Sequence, residues 1–401
     1  MRILFLLTQD LESPSGLGRY WPLARELARL GHQVRIAALH SDFSSLDARQ
    51  QNLDGVEVHY VAPMHVIKTG NQKSYYRPHQ LVWITLRAIW ALSWAALKYP
   101  VDIIYVGKPH PMNSIAGLLV KALRHVSMIV DCDDYEAGSG RFSGQWQKDI
   151  IEFFEKRVPR YGKMVTTHTH FMRDNLISWG VPKEKIVYLP NGVDPGRFSP
   201  PDPKRVETER ASLKLYEKKV VAYIGSLSLP SHPVNLLVEA FAHIHAAIPD
   251  TVLMIVGGGE DMIHLKTQAT ERGIESAIRF VGRVSPEDVP LYYALADVST
   301  DPIYDNPAAR GRSPLKLYES WICGIPFVTA DVGDRAYLMG DPPAGVLVRP
   351  GDAESLAEAI LQVLNDPAAA EAYRQRGLAR IENYYWDRLV RPLNDIYLEK
   401  V

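Results

Sequence analysis

The chain has 401 residues, enough for two domains of ordinary size. Its 45 Lys and Arg against 46 Asp and Glu leave a net charge of −1, so composition gives no support for a general nucleic-acid binder. The two cysteines, Cys132 and Cys323, provide neither a disulfide framework nor a zinc-ligand spacing, which fits the reducing cytoplasm.

The first segment, RILFLLT, is a continuous apolar run, the pattern of a parallel strand buried on both faces. It is too short and too weakly flanked for a signal peptide. A loop of small residues follows, ESPSGLG, and then RYWPLARELARL with helical spacing through Tyr20, Leu23, Ala24, Leu27 and Leu30. HQVRIAAL is the next strand. The unit is βαβ, with its glycine loop beyond the carboxyl end of the first strand. VDIIYVG, SMIVDCDD and KMVTTHT continue the series, each with a helical segment after it.

Residues 81–97, LVWITLRAIWALSWAAL, are apolar except for Arg87. Helical spacing puts Trp83, Arg87, Trp90 and Trp94 on one face, with Lys68, Lys73, Arg77 and Lys98 nearby. The default reading is a core-facing helix, which predicts buried tryptophans. The other is an interfacial membrane helix, which predicts exposed ones.

From Pro190 to Pro203 the proline-rich stretch disfavours both helix and sheet interior, so the domain linker is expected there. The domains are then 1–198 and 199–377. The second α/β series comprises KVVAYIGSL, TVLMIVGGGE, AIRFVGRV, ADVSTDP, IPFVTADVG and AGVLVRP, with helices such as NLLVEAFAHIHAAI and AESLAEAILQVLN between them. Strand–helix alternation argues for parallel sheets.

ARGRSPLKLYESWICGIP reads as a helix capped by Ser313, with Pro314 at its first position and Gly324 and Pro326 ending it. Arg310, Arg312 and Lys316 crowd its start. Cations are unfavourable at the positive end of a helix dipole unless an anion lies there. The arrangement therefore predicts a phosphate or diphosphate guest, held by the backbone around Ser313, Leu315 and Lys316. Glu319, one turn on, is placed to accept hydrogen bonds from ribose hydroxyls. Small-residue turns follow other strands of this domain, among them Gly225–Ser226. Open parallel sheets bind ligands beyond the carboxyl ends of their strands.

SPSGLGRY, LPNGVDPGRFSP, AYIGSLS, IVGGGE, RFVGRVSPEDVPLYYALADV, SPLKLYESWICGIPFV and GVLVRPGDAESLAEAI occur in an order and spacing that resemble the retaining GT-B glycosyltransferases of family GT4, glycosyl transferases group 1, in the subgroup with an SPLKLYE-type nucleotide motif. The resemblance implies an α/β GT-B fold: two Rossmann-like domains with parallel sheets facing a central cleft. A C-terminal helix, within 378–401, would cross back to the first domain.

It implies a nucleotide-sugar donor, UDP- or GDP-linked, and a hydroxyl acceptor: a glycan, a polyprenyl-linked glycan or a small molecule. No metal or other cofactor is implied. By this resemblance Arg283 and Val284 lie at the base, Glu319 at the ribose, and Ser313, Leu315 and Lys316 at the diphosphate. Gly16 approaches the diphosphate and acceptor. Lys316 would stabilise the leaving group. On the first domain's side His110 follows the strand VDIIYVG and is expected to face the cleft, and Asp133, at the end of the next strand, is placed either to bind acceptor hydroxyls or to cap the helix that follows.

Three positions depart from the family pattern. Gly311 stands where many members carry a glutamate, and Ser226 and His232 where many carry phosphate-binding cations. Arg310, Arg312 and Lys316 would restore the missing charge. The departures leave two alternatives: an inactive sugar-nucleotide-binding protein, or a sugar-nucleotide epimerase on the same fold. The expected location is the cytoplasm, with peripheral contact at the inner face of the membrane through 81–97.

Overall fold

The computed structural model describes residues 1–400 apart from 70, 71, 140, 141 and 143. They form two compact units. The first contains Met1–Gly192, Gly311–Ser313 and the stretch from Trp386, and the second contains Val193–Arg310 and Pro314–Tyr385. The unit boundaries thus fall at 192 and 386, where the sequence suggested 198 and 378.

The first unit is built on strands β1 (Arg2–Leu7), β2 (Gln33–His40), β3 (Gln50–Leu53), β4 (Val56–Pro63), β7 (Ile103–Gly107), β8 (Ser127–Asp131), β9 (Met164–Thr167) and β10 (Ile186–Tyr188). Their order is β10-β9-β8-β7-β1-β2-β4-β3, parallel except where β3 runs antiparallel to β4. A separate hairpin pairs β5 (Val66–Thr69) with β6 (Gln72–Tyr75). β1, β7 and β8 are central and almost wholly buried, as continuous apolar runs require. β4 alternates buried and half-buried residues, because only one of its faces is fully covered.

One face of this sheet is covered by the helix Trp21–Arg29 and the C-terminal helix Trp386–Lys400. Leu23, Leu27, Trp386, Val390, Leu393 and Tyr397 share its core. Trp386 also donates its indole N–H to the Gly18 carbonyl at 3.2 Å. Helices Pro78–Lys98 and Pro111–Arg124 contribute to a second core, centred on Leu4, Leu6, Ile104 and Val106, with Phe154 of helix Gln145–Arg157 packed against it.

The 81–97 segment does form one helix, but its default reading is corrected. Ala88, Leu92, Ala95 and Ala96 face the core, whereas Trp83, Trp90 and Trp94 are 70%, 67% and 61% exposed. Small residues let the helix lie close to its neighbours, and the indoles project outward.

The second unit has six parallel strands: β11 (Lys219–Ile224), β12 (Thr251–Val256), β13 (Ile278–Gly282), β14 (Val298–Asp301), β15 (Phe327–Ala330) and β16 (Val346–Val348), in the order β13-β12-β11-β14-β15-β16. The strand order reverses between β11 and β14. Loops leaving these two strands therefore diverge and open a crevice at their carboxyl ends, the usual ligand position in such sheets.

Candidate functional site

Three stretches meet at the crevice of the second unit. Gly225 follows β11, Asp301 ends β14, and the helix Leu315–Ile322 comes after β14. Lys316 Nζ lies 3.0 Å from Asp301 Oδ1 and 5.1 Å from the centre of the Tyr223 ring. Its stem passes so close to Gly225 that a Cβ there would meet Lys316 Cε at 2.5 Å. Glycine is thus required for steric reasons at the turn. Of the cations at the helix entry, Lys316 is brought to the Gly225–Ser226 turn by this geometry.

Asp301 is gripped from its other side by Arg335, whose Nη2 donates to Oδ2 at 3.0 Å. Arg335 is fully buried, and its guanidinium also donates to the Val332 carbonyl. Burial opposes ionisation of Asp301, but Lys316 and Arg335 outweigh it and hold the carboxyl far below the usual carboxylate range.

Two expectations at the helix entry need correction. The helix begins at Leu315 with Pro314 as its cap residue, and no side chain caps it, so Ser313 is not its N-cap. Pro314 has no N–H to offer and adopts extended backbone, which shifts the start by one residue. The helix does end as expected, with Gly324 in the left-handed region at φ +69°. Arg310 is exposed and forms a two-pronged ion pair with Asp305 at 2.6 and 2.7 Å. Its guanidinium is committed to a neighbour five residues away rather than to the Gly225 turn.

Arg312 and Ser313 group with the first unit, where Asn191 Nδ2 donates to the Ser313 carbonyl at 3.4 Å. Glu319, one turn beyond Lys316, accepts from Tyr293 Oη and Arg197 Nη2, both at 3.3 Å. Both bonds are long, so the carboxylate is oriented without being saturated. Arg283 and Val284 follow β13 at the same end of the sheet, Arg283 exposed and Val284 partly buried.

The first unit gathers a second polar cluster at the carboxyl ends of β1, β7 and β8. Gly16 lies where an added Cβ would strike the Asp10 carbonyl at 2.2 Å, and its N–H donates to Ser13 Oγ at 3.1 Å. His110 Nδ1 is 2.9 Å from Thr8 Oγ1, the residue after β1. Burial pushes the His110 imidazole down to about 4, so the ring is neutral near pH 7. It can exchange hydrogen bonds but does not carry a charge.

Lys108 follows β7 in the left-handed region, at φ +59°. It is buried and contacts Glu136 at 2.6 Å, Asp134 at 2.8 Å and Asp133 at 3.5 Å. Burial pushes the Asp133 carboxyl up to about 7 despite Lys108. In Asp134 the same burial is outweighed by Lys108 and His168, and its carboxyl stays well below the ordinary range. Two adjacent aspartates thus differ in proton affinity, the separation expected of groups with different roles.

Comparison with known proteins identifies the family of the chain. The family described as Glycosyl transferases group 1 matches residues 205–380, and the Glycosyl transferase 4-like domain matches residues 15–192. This chain is a group 1 glycosyltransferase.

A GDP-mannose-dependent alpha-(1-6)-phosphatidylinositol monomannoside mannosyltransferase of Mycolicibacterium smegmatis is 28% identical over 293 residues, covering 72% of this chain and 74% of the relative. The O-antigen chain mannosyltransferase B of Escherichia coli is 24% identical over 410 residues, spanning 99% of both chains. Among solved structures, sucrose-phosphate synthase of Thermosynechococcus elongatus superposes with a TM-score of 0.79 at 20% identity, covering 100% of this chain and 99% of the other. HepE of Anabaena in complex with UDP-glucose gives 0.75 at 19% identity, with both chains fully covered. The glycosyltransferase therefore has the GT-B fold.

Sequence reasoning missed three polar residues around these sites: Arg19, Asp301 and Arg335. Arg19 is buried in the first unit and holds Asp131, at the end of β8, through Nε at 2.7 Å and Nη2 at 2.6 Å. Its remaining nitrogen reaches the Leu189 carbonyl and Asn191 Oδ1. The hint for Asp301 was a charged residue inside a strand-like run, VSTD, which a buried strand admits only with a counter-charge.

Proposed function

We propose that this glycosyltransferase moves a hexose from a UDP- or GDP-linked donor to a hydroxyl acceptor with retention, in the synthesis of a glycolipid or cell-surface glycan. One observation carries the donor reading. Lys316 and Glu319 project from one turn of a helix that follows β14, with Lys316 against the Gly225 turn at the point where the strand order reverses. A diphosphate at that turn meets an ammonium and the N–H groups of Leu315 and Lys316 at the helix start. A ribose one turn along meets the carboxylate of Glu319.

Lys316 supplies the positive charge that stabilises the departing diphosphate, so the reaction needs no metal ion for that purpose. The acceptor hydroxyl attacks from the leaving-group side, and the departing phosphate oxygen takes its proton. No strong protein base is required. Neutral His110 and high-pKa Asp133 suit hydrogen bonding to sugar hydroxyls, the role we assign to the first unit together with Gly16. Arg283 and Val284 are assigned to the base, and Ser226, Ser313 and Leu315 to the phosphates. Arg312 is assigned an assisting role there.

Relatives named for phosphatidylinositol mannoside and O-antigen synthesis support a lipid-linked or glycan acceptor. Two free cysteines support a cytoplasmic setting.

Purified protein incubated with a panel of UDP- and GDP-sugars tests the reading. Slow release of UDP or GDP, stimulated by acceptor, is expected. Binding without turnover would make the chain a sugar-nucleotide-binding protein, and an altered sugar on an intact nucleotide would make it an epimerase. Glu319→Ala is expected to weaken nucleoside diphosphate binding about tenfold or more, the loss of a charge-assisted hydrogen bond. Titration calorimetry with UDP and GDP measures it, and unchanged affinity for both would remove Glu319 from the ribose.

A further inference from the structure

Apolar residues exposed singly are normal on a protein surface, but contiguous patches mark a contact. In the second unit the large exposed side chains belong to different elements, such as Ile263 on helix Met262–Glu271, Tyr337 on helix Arg335–Met339 and Tyr216 in a connection. In the first unit most of them lie on three helices, with Leu30, Leu53, Tyr161, Ile177 and Leu398 elsewhere. Trp83, Trp90 and Trp94 run along the outer face of Pro78–Lys98, and the last two stack with rings 6.2 Å apart and 7° from parallel.

Leu119 and Leu123 repeat the stripe on Pro111–Arg124, as do Trp146 and Phe153 on Gln145–Arg157. All three helices pack on the same core, and Arg124 ties the first two together by donating to the Tyr99 and Leu97 carbonyls.

Charge identifies the occupant. Pro78–Lys98 and Pro111–Arg124 contain no Asp or Glu, yet Arg87, Lys98 and Arg124 are exposed on them. Indoles flanked by cations with no carboxylate suit the boundary of an anionic bilayer, where aromatic rings sit at headgroup depth and cations meet lipid phosphates. Asp149 and Glu152 on the third helix place it towards the edge of such a contact.

The helix Pro78–Lys98 is apolar and long enough to cross a membrane by composition. Its Ala88, Leu92 and Ala96 are nevertheless built into the core, so it presents one face and remains with its unit. We propose that these three helices form one docking surface that lies flat on an anionic lipid bilayer. The proposal does not depend on the donor site.

The intact chain should co-sediment with phosphatidylglycerol vesicles and much less with phosphatidylcholine vesicles. Binding should weaken severalfold as salt rises from about 0.01 M to about 1 M, where the screening length falls from about 30 to about 3 Å. The triple variant Trp83→Ser, Trp90→Ser, Trp94→Ser should lose about tenfold or more in vesicle partition. Leu119→Ser with Leu123→Ser should also weaken it, and Ile263→Ser should not.

Because the tryptophans are exposed, the triple variant should keep its thermal midpoint and its affinity for UDP or GDP. Failure of vesicle binding is thereby separated from failure of the donor reading. Absence of binding to phosphatidylglycerol, or binding unchanged by the triple variant, overturns the proposal. A dimer that the triple variant turns into a monomer, with vesicles ignored, assigns the face to a second copy of the chain and also overturns it. Wild-type binding by the Leu119/Leu123 variant refutes the multi-helix surface.

Discussion

Lys316→Ala is expected to lower kcat by about 10²–10³-fold, or roughly 3–4 kcal/mol of transition-state stabilisation, by analogy with the loss of a single preorganised donor to a developing anion. The ammonium already points at the Gly225 turn before any ligand arrives, held by Asp301 and the face of Tyr223. Little reorganisation is then needed as charge grows on the leaving phosphate.

Stability should change much less than turnover. Asp301 keeps Arg335 as its partner when Lys316 is removed, so no buried charge is left alone. The informative comparison is Lys316→Arg, because a planar guanidinium is wider than an ammonium and the gap beside Gly225 is narrow. Steady-state kinetics with a saturating acceptor measures both variants. Wild-type turnover in Lys316→Ala would remove the lysine from the chemistry.

The contrast between Lys316 and Arg310 shows what sequence alone can resolve. Both are cations at the entry of one helix, and spacing treats them alike. Their partners separate them: Asp305 is a local residue that captures Arg310, while Asp301 lies at the end of β14 and directs Lys316 to the crevice. A partner five residues away is visible in the sequence once the turn is known. A partner set by which two strands are neighbours is not.

The same distinction runs through the fold. Buried parallel strands such as β1, β7, β11 and β12 were legible because burial on both faces demands an unbroken apolar run. β4 was overlooked although Val56, Val58, Tyr60 and Ala62 alternate with half-buried residues. That period-two signal was present in VEVHYVAP. β3, QQNL, is exposed throughout and had no apolar signal to find. In residues 81–97, apolar composition was plain, but composition does not say which stripe of a helix meets the core. The small residues Ala88, Ala95 and Ala96 were the better guide, since close packing selects them and leaves the indoles outside.

Arg19→Met should produce the largest loss of stability, about 3–5 kcal/mol for the first unit, the cost of stranding one member of a buried ion pair. Arg19 and Asp131 are both nearly inaccessible and meet through two bonds of 2.6–2.7 Å. Burial opposes the charge on Asp131, and Arg19, aided by Thr166, keeps its carboxyl below the usual range. The small-residue stretch expected as a loop is a helical turn over Gly16–Tyr20 that leads directly into the helix Trp21–Arg29, and the Arg19 guanidinium joins this turn to the end of β8 and to Leu189 and Asn191. Its loss therefore loosens three segments together.

Unfolding of two units need not be one transition, so amide hydrogen exchange within β1, β7 and β8 is the suitable measurement. Protection there should fall while that of β11 and β12 is retained. Pairing Arg19→Met with Asp131→Leu should recover part of the loss, because replacing both members of a buried pair costs less than removing one. If the single variant keeps wild-type protection, the pair does not hold the Gly16–Tyr20 turn against the sheet. If the double variant is worse than either single one, the remaining bonds to Leu189, Asn191 and Thr166 carry more of the stability than the charges do.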